Sequence, residues 1–149
     1  MAAGTWTLYY SAKRKLVNGT LDLDTNVFRC RLFKAQAAAS VSAPTLSLLS
    51  QIGTTNRAAG VSDYTLSGPS VVALSAGAVG TSKWSAPNLV ITASATAASS
   101  VQYAVVYNSL SANGGHVLMW CKLSTAAFTV TKGNTLTINT PAAGFFVIY

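Results

Sequence analysis

The chain has 149 residues, half of them hydrophobic and 9% charged, with ten Lys and Arg against three acids for a net charge of +7. That length can bury the core of one ordinary domain, but the charged share lies far under the roughly 25% of a typical soluble domain. A lone, fully solvated monomer is therefore disfavoured, and a surface covered by partners is favoured.

In chain order, residues 5–17 (TWTLYYSAKRKLV) carry the one helical pattern of any length. Trp6, Tyr9 or Tyr10, Lys13 and Leu16 recur at helical spacing and lay an aromatic stripe along one face. Thr5 can cap the start, and Asn18-Gly19 is a good stop. Lys13, Arg14 and Lys15 fall in the last turn, where cations complement the helix dipole. The segment reads either as a capped surface helix or as an anchoring arm whose basic end meets an acidic neighbour.

TLDL, the turn Asp24-Thr25-Asn26 and VFRCRLFK follow as a hairpin pattern. Its return strand points Phe28, Cys30 and Leu32 inward and Arg29 and Arg31 outward. Arginine's planar fork of donors suits an interface, and a solvated strand face is the plainer reading. Residues 35–44 form an Ala/Ser-rich connector too small to be a core element, whereas 45–52 can form a short helix with Leu46, Leu49 and Ile52 inward.

Beyond Gly60 the chain becomes short β-runs, SDYTLSG, SVVALS, TSKW and NLVITAS, punctuated by Pro69, Gly77, Gly80 and Pro87. VQYAVVYN, the loop SLSANGG and HVLMWCKL then predict a hairpin with two apolar faces, which belongs in the middle of a sheet. AFTVT, TLTIN and GFFVIY complete nine or ten strands. The pattern predicts an all-β sandwich or barrel in a single domain over 1–149, with one short N-terminal helix.

Catalytic chemistry is thinly supplied. The acids are Asp22, Asp24 and Asp63, there is no Glu, and His116 is the one histidine. Asp22 and Asp24 suit a turn that bonds its own backbone, and are too few for a calcium site. No Walker loop, GxGxxG or GxSxG elbow is present. The expectation is a protein that is not an enzyme and holds no cofactor or metal.

Cys30 and Cys121 are expected to be reduced, buried and neighbours if their strands face one core. A run of about 18 apolar residues is missing, and a basic cluster stands where a secretory leader would be apolar, so neither a membrane span nor a leader is expected. The cations are too thinly spread for nucleic acid; an acidic protein surface is the better complement. Trp120 is expected in the core, and Trp84, beside Lys83 and Pro87, reads as an interface anchor or a sugar platform.

Two stretches carry a resemblance: LYYSAKRKLVNGTLDLDTNVFRCRLF and YAVVYNSLSANGGHVLMWCKLS. SAK in a helix, NGT-x-DL-x-T, an FR-x-x-LF strand, YA-x-x-YN, G-x-V-L before LS and a final strand from Gly144 to Phe146 together resemble small structural proteins of tailed phages, most of all capsid cement or decoration proteins. The resemblance implies a jelly-roll-like β-sandwich on the outside of the virion head, assembled in the host cytoplasm, that clamps neighbouring major capsid subunits. Tail, neck or head-fibre components share the style, and a carbohydrate- or receptor-binding β-module is a further alternative. Expected partners are the major capsid protein and a second copy of the chain, as a dimer or next a trimer. The docking residues would come from Trp6, Tyr9, Tyr10, Lys13, Arg14, Lys15, Arg29, Arg31 and Trp84.

Overall fold

The longest alternating run of the sequence becomes the central strand. Every side chain from Val101 to Asn108 is buried, on both faces, because neighbouring strands flank it and other layers cover it. The computed structural model describes residues 4–67, 70–73, 82–109 and 115–148. Its strands are β1 (Thr7–Leu8), β2 (Phe28–Lys34), β3 (Tyr64–Thr65), β4 (Ser70–Ala73), β5 (Ser82–Ser85), β6 (Leu89–Thr92), β7 (Ala98–Asn108), β8 (His116–Lys122), β9 (Phe128–Val130), β10 (Thr135–Ile138) and β11 (Phe146–Ile148). Two short helices, α1 (Tyr10–Val17) and α2 (Ala38–Val41), join them.

The strands pair antiparallel in three sheets, so the fold is all-β. The largest runs β1-β8-β7-β2-β3, with β9 also on β7; β10-β6 and β11-β5-β4 form the others. These pairings do not by themselves define a jelly roll. The β7–β8 hairpin lies at the centre, as its two apolar faces predict. Pro69, Gly77, Gly80, the loop tip 110–114 and Tyr149 lie outside the described residues.

An aromatic chain forms much of the core between the sheets. Trp6 meets Phe145 edge-on at 5.2 Å between ring centroids, Phe145 meets Trp84 at 5.2 Å, and Trp84 meets Phe28 edge-on at 5.2 Å. Trp84 Nε1 donates to the Leu23 carbonyl at 3.2 Å, which lets a polar atom enter the core with a partner. This corrects three expected docking residues. Trp6, Tyr9 and Trp84 are 7%, 0% and 0% exposed, so none is available as a surface anchor or sugar platform. Rings this large, set among apolar strands, contribute more by burial than a short exposed helix could recover at its surface.

The helix also starts later than predicted. Thr7 and Leu8 pair with Trp120 and Met119 as β1, which consumes the first turn of the expected 5–17 helix and removes Thr5 as its cap. Tyr9 takes the N-cap position with extended backbone, and its hydroxyl donates to the Val41 carbonyl at 2.7 Å. The stop is where Asn18-Gly19 places it: Asn18 caps the C-terminus, and Gly19 has φ +75°, a left-handed conformation that suits glycine.

TLDL makes no strand. Asp22 Oδ1 accepts from the backbone N–H of Asp24 and Thr25 at 2.9 and 3.2 Å, and Asn26 Oδ1 accepts from Asp22 N–H at 3.0 Å. Side chains thus satisfy donors that a ladder would need, while Leu21 and Leu23 still enter the core. β2 pairs instead with β7 and β3. The 35–44 connector is likewise more than a spacer, since Ala37 and Val41 are fully buried. In 45–52 only Leu49–Ile52 coils, as a 3-10 turn, with Leu46, Leu49 and Ile52 inward as expected.

Cys30 and Cys121 are free and fully buried. Cys30 lies opposite Val106, and Cys121 opposite Ala104, so both thiols are on one face of the sheet with β7 between them. Two strand spacings put them about 10 Å apart sideways, too far for a disulfide. Burial pushes both thiols up, and for Cys30 the neighbouring Cys121 and Asp63 add to it. Thiol reagent should therefore label neither cysteine quickly in the native protein and both at once in denaturant; fast native labelling would contradict this packing.

A candidate interaction surface

α1 is held by its inner side and leaves an aromatic-basic outer side. Tyr10 N–H donates to the Pro44 carbonyl at 3.1 Å, Ser11 Oγ donates to the Leu46 carbonyl, and Ala12 is buried. On the outside Tyr10 is 64% and Val17 90% exposed. Lys13 Nζ lies 5.5 Å from the centre of the Tyr10 ring, and Arg14 is exposed beside it. Residues 10, 13, 14 and 17 share one helical face by spacing alone. Tyr10, Ser11 and Arg14 then wall a groove of about 400 Å³ whose other side is Thr45 and Ser47.

Lys15 behaves differently from its neighbours. Its Nζ lies 3.2 Å from the Ser47 carbonyl, 2.8 Å from Ser47 Oγ and 2.6 Å from His116 Nδ1. An ammonium has three N–H donors, and here it meets three acceptors if His116 is neutral and carries its proton on Nε2. Burial first, and the Lys15 charge second, hold His116 below its usual value, which keeps the imidazole an acceptor. Burial, then Arg14, lowers Lys15 as well. Lys15 thus pins α1 to residue 47 and the first residue of β8, and is not a free docking cation.

A second basic patch lies across the sheet, on β2. Arg31 Nε and Nη2 grip Asp63 Oδ1 and Oδ2 at 2.8 and 2.6 Å, a two-pronged ion pair. The Tyr107 hydroxyl donates to Oδ2 at 2.6 Å, and Arg57 Nη2 reaches Oδ1 at 3.4 Å. The Arg31 guanidinium also stands 5.3 Å from the centre of the Tyr107 ring. Burial pushes the Asp63 carboxyl up, but the bonds from Arg31 and Tyr107 and the charges of Arg31 and Arg57 outweigh it and hold it below its usual value. Tyr107 is pushed up to about 12, by burial first and then by Asp63. Gly115, at φ +81°, lies so close to the Tyr107 ring that a Cβ there would collide with it.

Arg29 is exposed on the same strand face. It lies between Tyr107 of β7 and Thr65 of β3, and its side chain makes no hydrogen bond or ion pair to any described residue. Sequence alternation placed Arg29 and Arg31 together on this face but missed Arg57, Asp63 and Tyr107. Those three come from a loop, a strand approach and the central hairpin, and no local spacing links them.

No protein-family model, curated protein or solved structure matches this chain. Among the described residues, no three His, Cys, Asp or Glu side chains converge as metal ligands, and no helix is long and apolar enough to cross a membrane. Of the nine residues expected at an interface, Tyr10, Lys13 and Arg14 sit together on α1 and Arg29 and Arg31 together on β2. Lys15 is a pin between elements, and Trp6, Tyr9 and Trp84 are core.

Proposed function

We propose that this protein is a virion structural component, a cement or decoration protein that docks on the outer face of a tailed-phage head and clamps neighbouring capsid subunits. It does no catalysis in this role, and its partners are the major capsid protein and a sister copy. The observation that carries the reading is the outer face of α1, where the exposed Tyr10 and Val17 stand at either end of Lys13 and Arg14. The chain cannot neutralise this face itself. Of its three acids, Asp63 is held by arginines and Asp22 organises its own turn, which leaves Asp24 against a surplus of cations.

A clamp also needs two contacts. α1 sits against β8 near one margin of the large sheet, and the arginine patch sits on β2 beside β3 at the other. The resemblance of the 8–33 and 103–124 stretches to head decoration proteins agrees with such a part. Many copies on a closed shell stabilise it by mass action, because they bind assembled subunits better than free ones.

Binding to undecorated tailed-phage shells tests this. Tyr10→Ser, an exposed change that should leave folding intact, is expected to weaken binding about tenfold or more, as loss of an aromatic anchor does. Changing Lys13 and Arg14 together to serine should mainly slow association and flatten its salt dependence, since rim charges contribute only about 0–1 kcal/mol each. A parent protein that ignores shells, or a Tyr10→Ser variant that binds them as the parent does, would sink the reading.

A further inference from the structure

We infer that Arg29, Arg31 and Arg57 form a preorganised receptor for carboxylate side chains of a partner protein, with Asp63 as its internal organiser. A donor count leads there. A carboxylate offers about four lone-pair sites, and Asp63 already accepts three hydrogen bonds, from Arg31 Nε, Arg31 Nη2 and the Tyr107 hydroxyl, with Arg57 Nη2 in ion-pair contact at 3.4 Å on the remaining side. It can satisfy no further guanidinium. Each guanidinium carries five N–H donors. Apart from the Asp63 contacts, Arg31 reaches only the Tyr107 hydroxyl at 3.5 Å, and Arg57 only the Val61 carbonyl at 3.3 Å, among the described residues.

The patch therefore keeps a net positive charge around a saturated acid. Arg29 contributes its whole fork, and the Arg57 side chain remains 40% exposed. Arg31 is fixed from two directions, by its two-pronged grip on Asp63 and by the Tyr107 ring beneath it, and so presents its free edge without further ordering cost. Planar forks held at fixed angles match carboxylates two bonds at a time.

An acidic protein surface fits better than nucleic acid. The patch is a compact point, and among the described residues it is not part of an extended basic stripe of the kind that tracks a phosphate backbone. The choice of a protein partner rests on the proposed docking role; the anion chemistry does not.

The test uses the whole chain with labelled oligoglutamate and, in parallel, oligothymidylate at low and at physiological salt. The parent is expected to bind oligoglutamate more tightly than oligothymidylate at low salt. Arg29→Ser, which removes a side chain with no internal partner, should weaken that binding about three- to tenfold, and Arg57→Ser should act in the same direction. The inference is overturned if the parent ignores oligoglutamate, if Arg29→Ser binds it as the parent does, or if oligothymidylate binds more tightly with the same arginine dependence. On undecorated shells, loss of binding on Tyr10→Ser but none on Arg29→Ser would leave docking standing and remove this site from it. Oligoglutamate binding by a chain that ignores shells would do the reverse, keeping the anion site and ending the docking role.

Discussion

Replacing Trp84 with alanine is expected to cost about 3–5 kcal/mol of folding stability, the range for a buried Trp or Phe truncated in a core. Three rings lean on it: Phe28 edge-on, Phe145 tilted, and Phe146 stacked at 5.7 Å. Its own strand, β5, is the middle of the three-stranded sheet, so a cavity there loosens β4 and β11 together. The Leu23 carbonyl would also lose its indole donor. Trp84→Phe keeps most of the apolar contact and forfeits that bond, for a smaller loss of about 1–2 kcal/mol. Urea unfolding should show both midpoints lowered at unchanged slope, with alanine the worse. If Trp84→Ala unfolds like the parent yet fails to bind a partner, the residue is an anchor after all and its place in the core is wrong.

Asp63→Ala should cost about 1–3 kcal/mol, less than a fully buried ion pair because the Arg31 and Arg57 side chains keep 25% and 40% exposure to solvent. The loss comes from what is left behind, an arginine over the Tyr107 ring without its counter-charge and a Tyr107 hydroxyl without its acceptor. The pH dependence has a definite sign. In the fold the Asp63 carboxyl lies below its ordinary value of 3.8, so its contribution is fully present above that value. It is lost as pH falls through the lower, folded value. The parent should therefore lose stability at acid pH, and Asp63→Ala should lose less over the same range. A remnant will persist, because bonds from the Thr25 side chain and from the Asp24 and Thr25 backbone also hold Asp22 low. Stability–pH curves of parent and variant that run parallel below pH 3.8 would show that the arginines do not act through this carboxylate.

Period-2 alternation was enough to read the all-β class, the central β7–β8 hairpin and the inward Phe28, Cys30 and Leu32 from the chain alone, because side chains on a pleated strand must alternate. Asn18-Gly19 marked the helix end for an equally local reason, glycine's freedom at positive φ. Local pattern failed where a distant strand competed. Thr7 and Leu8 carry a helical spacing, yet the free edge of β8 offered them ladder bonds. Tyr9 and Trp84 read as surface aromatics because neither the Val41 carbonyl nor the Phe28 and Phe145 rings that enclose them are near in sequence. Arg31 could be placed on an outward face, but whether that face was solvent or a charge cluster depended on Asp63 arriving from 32 residues away. Periodicity and turn chemistry act over a few residues, and so the sequence by itself determined the longer strands, β2, β7 and β8, and their inward faces, but neither β1 nor the absence of a strand at TLDL. Edge pairing, ring packing and ion pairing act between segments that only folding brings together, and those decided which aromatics are core, which cation is a pin and which arginines are held by Asp63.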